Sequence, residues 1–278
     1  MEIFIYSLSI PFRILVPALY GVSFVFYLVY FNSGKQYSRQ YGYLTVAIAA
    51  TFHIIYLVGR GLHNRHFPIT NTFESFSMLA MSIALIYLLL EKIRHEGKTG
   101  LFFIGIAFLF QLFASTFMID ESAHNLLLAN PIFGIHTLFT LLGLTALAIS
   151  AIYGLMYWML AKEIKAHRFG KIYTNLPPLK SVEDLGRTAS LIGLILLGIG
   201  ILLGHYMASL EFGYFFVLDA KMIVADLAWL AYTIGWIFVV RYRLSGLRMS
   251  RIAFWGFVIF FISMIFINIF GDTFHKFS

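Results

Sequence analysis

Eight apolar stretches constrain this chain more than any other feature. They fall at about 12–31, 43–60, 73–91, 99–119, 130–160, 186–208, 222–240 and 252–270. Each approaches or exceeds the ~20 residues that cross a ~30 Å hydrocarbon core at ~1.5 Å of rise per residue. They are continuous rather than alternating, whereas barrel strands read as short alternating segments. The expected fold class is therefore all-α: a polytopic membrane protein with eight transmembrane helices. The fifth stretch is long enough to project beyond the membrane. The connections are short, and no repeat or low-complexity run divides the chain, so a single integral membrane domain over 1–278 is expected. The first residues carry neither a basic n-region nor an A-x-A site, so no cleaved signal peptide is expected.

Composition agrees. Only 12% of residues are charged, about half the share usual in a soluble domain. Disorder and a solvated solenoid are excluded on that ground. Cysteine is absent, which removes disulfides, thiolate chemistry, thiolate metal sites and covalent CxxCH haem attachment. The net charge of +7 does not point to nucleic acid, because such an excess in a membrane protein usually sits in its cytoplasmic loops.

The bases are distributed accordingly. Lys35 and Arg39 lie in the first connection, and Lys92, Arg94 and Lys98 in the third. Lys162, Lys165, Arg168, Lys171, Lys180 and Arg187 occupy the fifth, and Arg241, Arg243, Arg248 and Arg251 the seventh. These are fifteen of the twenty Lys and Arg residues; Arg13, Arg60, Arg65, Lys221 and Lys276 fall on the other side. The positive-inside rule puts the four rich connections in the cytoplasm and both termini outside. The 162–187 connection, with Pro177 and Pro178, reads as the one substantial cytoplasmic segment.

Nine histidines are the main chemical resource. His95 and His167 fall in cytoplasmic connections, and His53 near the middle of the second span. His63, His66, His124, His136, His205 and His275 gather at or near the outer face. His136 and His275 reach that face from different helices. Two neutral imidazoles so placed suit the axial positions of a haem iron, or are simply interfacial histidines. His205 is the rival ligand. His53 lies on the order of 10–15 Å deeper along its helix. It could bond Thr51, Tyr56 or a neighbouring helix, and an ionisable group at that depth points to function by default. Glu74 suits the positive end of the third helix, capped by Thr70 or Asn71. The outer segment from His205 to Lys221 is apolar and aromatic between charges. It either anchors at the interface or offers a shelf to a flat ligand. Asp219 and Asp226, seven residues apart, can share a helix face; Lys221 or an outer helix would partner Asp226. No P-loop, dinucleotide fingerprint, HExxH or nucleophile elbow is present.

Read in order, these pieces resemble one family. Pro68-x-x-Asn71-x-x-Glu74-Ser75 is followed by a histidine-bearing fifth span. Leu176-Pro177-Pro178-Leu179 then leads into a glycine-rich sixth span ending Gly200-Ile201-Leu202-Leu203-Gly204-x-x-x-Ala208. An aromatic outer loop, the Trp229/Tyr232 pair and a C-terminal histidine complete the set. Over roughly residues 15–278 this is similar to the cytochrome c assembly family that includes CcsA, ResC and CcmC, and above all to its HemX-like branch. The resemblance implies a multi-pass protein of the bacterial cytoplasmic membrane that handles haem b at the outer face. It implies axial ligation by His136 and His275. It also implies a haem-cradling segment, the family's tryptophan-rich WWD motif, spanning Phe212 to Trp229.

That motif is degenerate here. Gly213, Asp219, Lys221, Trp229 and Tyr232 keep the pattern. Phe212, Phe216 and Leu218 stand where the family has tryptophans, and Ala220 and Met222 replace its Pro and Glu. A further membrane histidine would fall near Ile237 and is missing. Phenylalanine still stacks on a porphyrin but lacks the indole donor. The resemblance therefore implies a haem-binding or haem-presenting protein with no covalent chemistry of its own. Lipid, haem and another assembly protein would be its partners, and nucleic acid would not. Two alternatives accompany it. One is a regulatory partner that holds glutamyl-tRNA reductase through the 162–187 segment. The other is a structural subunit that has lost haem.

Overall fold

A computed structural model of the chain describes residues 2–64, 67–69, 72–117, 130–242 and 246–270. Eight helices in it are long and apolar enough to cross a membrane, and among the described residues there is no strand. The multi-pass all-α architecture expected from the apolar stretches is the one the chain adopts. The helices divide into two compact units, residues 1–122 with 174–176 and residues 123–173 with 177–278.

Unit 1 is a ring of four helices: α1 (Glu2–Ser33), α2 (Gln36–Asn64), α3 (Thr72–Arg94) and α4 (Gly100–Phe117). Each packs on the next, and α4 closes onto α1. Where lipid is as apolar as the core, polar side chains on backbone carbonyls draw helices together. Ser23 donates to the Gly42 carbonyl at 2.9 Å and Ser38 to the Phe26 carbonyl at 2.8 Å, joining α1 to α2. At one end of the ring Glu91, 3% exposed, gathers three donors from three helices. Tyr27 reaches it at 2.6 Å, Tyr87 at 2.5 Å and Arg39 at 2.7 Å. Near the α2–α3 connection Glu74 is buried and paired with Arg60. The acid read as a partner for the helix dipole is thus half of an ion pair. Its suggested caps, Thr70 and Asn71, lie outside the described residues.

Unit 2 holds α5 (Pro131–Lys165), α7 (Leu179–Phe212), α8 (Ala220–Arg241) and α9 (Gly246–Phe270). The short helix α6 (Lys171–Asn175) lies in the connection from α5 to α7. Asn130 starts α5 by accepting from the Ile132 amide at 2.9 Å, with Pro131 in the first turn. At 35 residues α5 is the longest helix described, and it projects beyond a bilayer core as its sequence suggested. α5 runs along α7 and α9, and α8 lies against both of these. The α5–α7 seam is built from small residues. A side chain at Gly143 would meet the Leu197 amide nitrogen at 2.5 Å, and one at Gly193 the Leu147 side chain at 2.8 Å. Such seams let backbones approach closely.

The 162–187 stretch is not the loop its bases and prolines suggested. α5 continues to Lys165 and α7 begins at Leu179. Pro178, with φ −53° and ψ 142°, occupies the helix-initiating position. Proline fixes φ and donates no amide, so it starts a helix as readily as it interrupts one.

Candidate functional site

The site is built at the end of unit 2 where α7 finishes and α8 starts. α7 stops at Phe212 because Gly213 takes φ +77° and returns its amide to the Ser209 carbonyl at 3.1 Å. Residues with a side chain rarely adopt that conformation. The chain then crosses to α8 through Tyr214–Leu218. Asp219 caps α8, accepting from the Lys221 amide at 3.0 Å and the Met222 amide at 3.1 Å. Its carboxylate is buried and serves the helix end. Lys221 is half-buried in the first turn. Between the two helix ends the segment turns large apolar groups outward. Tyr214 is 72% exposed, Phe216 76% and Leu218 95%, with Phe212 and Phe215 also exposed.

His136 stands one to two turns into α5 and is half-buried. Its Nδ1 lies 2.7 Å from the Gly200 carbonyl oxygen of α7. A carbonyl only accepts, so Nδ1 carries a proton, and in the neutral form of the ring the lone pair is on Nε2. A bond of this kind to one ring nitrogen fixes the tautomer and the orientation of the ring. Gly204 makes room for the ring, since a side chain there would come within 2.8 Å of His136 Cε1.

His205 follows Gly204 but points elsewhere. Nδ1 lies 3.0 Å from the Phe215 carbonyl, and Nε2 lies 3.0 and 3.1 Å from the two Asp226 oxygens. Both nitrogens are engaged by acceptors. Asp226, assigned from sequence to Lys221 or an outer helix, is therefore the partner of a histidine on α7.

Trp229, read as the end of the cradle, and Tyr232, which keeps the family pattern, face the helix bundle. Trp229 donates to the Leu194 carbonyl at 2.8 Å and lies against Gly198. Tyr232 donates to the Ala253 carbonyl at 2.9 Å. The segment is thus divided: Phe212 to Leu218 offers an outward aromatic rim, and Trp229 packs α8 against α7. His275 lies outside the described residues, as do His66 and His124. Among the described residues no group of three His, Asp or Glu side chains could hold a bare metal ion.

His53 belongs to unit 1 and has no exposed surface. Its Nε2 lies 2.8 Å from Ser77 Oγ, and that hydroxyl donates to Gln111 Oε1 at 2.9 Å. Nε2 is thus the donor. The partner is Ser77 on α3, the neighbouring helix that the sequence reading allowed, rather than Thr51 or Tyr56. The Thr51 hydroxyl returns to the Ala47 carbonyl and the Tyr56 hydroxyl accepts from Arg60.

The model of the cytochrome c assembly protein family matches residues 69–275, which is most of the chain. The chain belongs to that family. Relatives with curated names agree. Protein HemX of Brevibacillus brevis is 22% identical over 92% of this chain and 94% of its own. The cytochrome c biogenesis protein CcsA of Mesostigma viride is 21% identical over 100% of this chain and 97% of its own. Among solved structures the cytochrome c heme lyase CcmF shares the fold, with TM-score 0.64 at 14% identity over 95% of this chain. This chain spans 49% of the length of that one.

Proposed function

We propose that this assembly-family protein binds haem b at the α7–α8 end of unit 2 and presents it on the outer side of the bacterial cytoplasmic membrane. The observation that carries the reading is the bond from His136 Nδ1 to the Gly200 carbonyl. It orients a neutral imidazole whose other nitrogen suits an axial position. In this reading His275 supplies the second axial ligand from the C-terminal end. The rim of Phe212, Phe216 and their neighbours offers a flat apolar face to the porphyrin. Gly213 shapes that rim, and Lys221 offers a cation to a propionate. Asp219 holds the start of α8 in place, and Trp229 fixes α8 to α7 behind the rim. When bound, haem supplies a redox-active iron. The protein's own task is to hold and expose it, and no covalent chemistry on this chain is needed. The relatives' roles in cytochrome c biogenesis support haem and a further assembly protein as partners.

The visible spectrum of the purified protein tests this. A Soret band with sharp reduced α peaks is expected, retained in His53→Ala and lost in His136→Ala and in His275→Ala. Haem retained unchanged in His136→Ala would refute the assignment. Colourless wild-type protein would favour the regulatory or structural alternatives, glutamyl-tRNA reductase being the partner of the former.

A further inference from the structure

We infer that His205 is a positioning residue, a latch that fixes the aromatic rim rather than a ligand of the iron. The inference rests on the proposed haem site only for its functional consequence.

The segment from Gly213 to Asp219 leaves α7 and re-enters α8 with bonded ends. The glycine amide returns to Ser209, and Asp219 caps α8. Midway between these ends, His205 Nδ1 donates to the Phe215 carbonyl at 3.0 Å. The ring is also stacked on the Phe215 ring, with centroids 5.3 Å apart and planes 23° apart, and packs against Phe216 at 5.1 Å. Its other nitrogen faces both Asp226 oxygens on α8. At 4% exposure the imidazole is a buried pin joining α7, the aromatic segment and α8.

Hydrogen-bond chemistry fixes the role. A carbonyl and a carboxylate are both acceptors. The group therefore holds two protons, one on Nδ1 and one between Nε2 and Asp226. No ring nitrogen presents a lone pair to iron while both bonds stand. Ligation would take the donor from the Phe215 carbonyl or the Asp226 carboxylate, two part-buried acceptors, and forfeit one of these bonds. The latch instead holds Phe215 against the imidazole, 41% exposed, and leaves Phe216 further out at 76%, so the rim is shaped before any ligand arrives. Pre-ordering of that kind strengthens binding by removing the cost of ordering the loop.

Two isosteric substitutions separate the bonds. In His205→Asn the amide nitrogen falls near the place of Nδ1 and can still donate to Phe215. In His205→Gln it falls near the place of Nε2 and can still donate to Asp226. Amide hydrogen exchange at Gly213, Asp219 and Lys221, the bonded amides at the two ends of the segment, measured in nanodiscs, should accelerate about tenfold in His205→Ala, the order expected for losing one hydrogen bond of this kind. It should accelerate similarly in His205→Gln and stay close to wild type in His205→Asn. Haem affinity should fall by a similar factor in the Ala and Gln variants, with the reduced α peak unmoved because the axial ligands are untouched. Unchanged exchange in His205→Ala, or equal acceleration in Asn and Gln, would overturn the latch. So would a displaced α peak, which would make His205 a ligand. Colourless wild-type protein would remove the haem site, and the exchange measurements would still decide the latch.

Discussion

Polar side chains inside a membrane bundle cannot fall back on water, so each is either bonded or costly. Glu91 shows the consequence in unit 1. Its carboxylate takes two phenol hydroxyls and the Arg39 guanidinium. Glu91→Ala removes all three acceptor contacts and leaves a cation without its partner. A loss of about 3–5 kcal/mol is expected, as for other broken buried pairs, and thermal unfolding in detergent would show it. A melting temperature equal to wild type would mean the cluster contributes nothing to stability. His136 obeys the same accounting with a different result. One nitrogen is committed to the Gly200 carbonyl, and the other is oriented by that commitment.

The sequence marks where each helix spans, and it does not mark which face of the helix meets a partner. The eight spans and their order were legible because length and hydropathy alone decide whether a segment crosses. Which side of each span faces a partner was not, because lipid and protein interior are equally apolar and no amphipathic stripe marks the boundary. Trp229 illustrates the difficulty. Its position in a family pattern suggested a ligand face, and the fold turns its indole to the Leu194 carbonyl. The 162–187 bases suggested a loop, yet two helices run into it, because lysine and arginine are good helix formers. The His205–Asp226 pair joins residues 21 apart, across a reversal of the chain that sequence spacing does not reveal. Glycine was the readable signal for the α5–α7 seam, and it carries a prediction. Gly143→Leu forces atoms onto the Leu197 backbone, where even a single added carbon would sit 2.5 Å from nitrogen. A destabilisation of about 1–3 kcal/mol or more is expected from overpacking, while Gly59→Leu, with open space at that position, should be tolerated. Equal melting temperatures for the two variants would contradict close α5–α7 packing.

From the distribution of the bases we propose that the α5–α7 connection is cytoplasmic and residue 275 external. This cysteine-free chain suits single-cysteine labelling in oriented vesicles. Position 275 should react with an impermeant reagent from the outer side and position 168 from the cytoplasmic side. The reverse pattern would invert the topology. We propose that His136 holds haem iron through Nε2, with Nδ1 bonded to the Gly200 carbonyl. The direct measurement is to titrate imidazole into haem-supplied His136→Gly protein while recording the reduced spectrum. The variant should lack the wild-type α peak and regain it as imidazole fills the vacated position. A His136→Gly spectrum identical to wild type before imidazole is added would contradict the assignment.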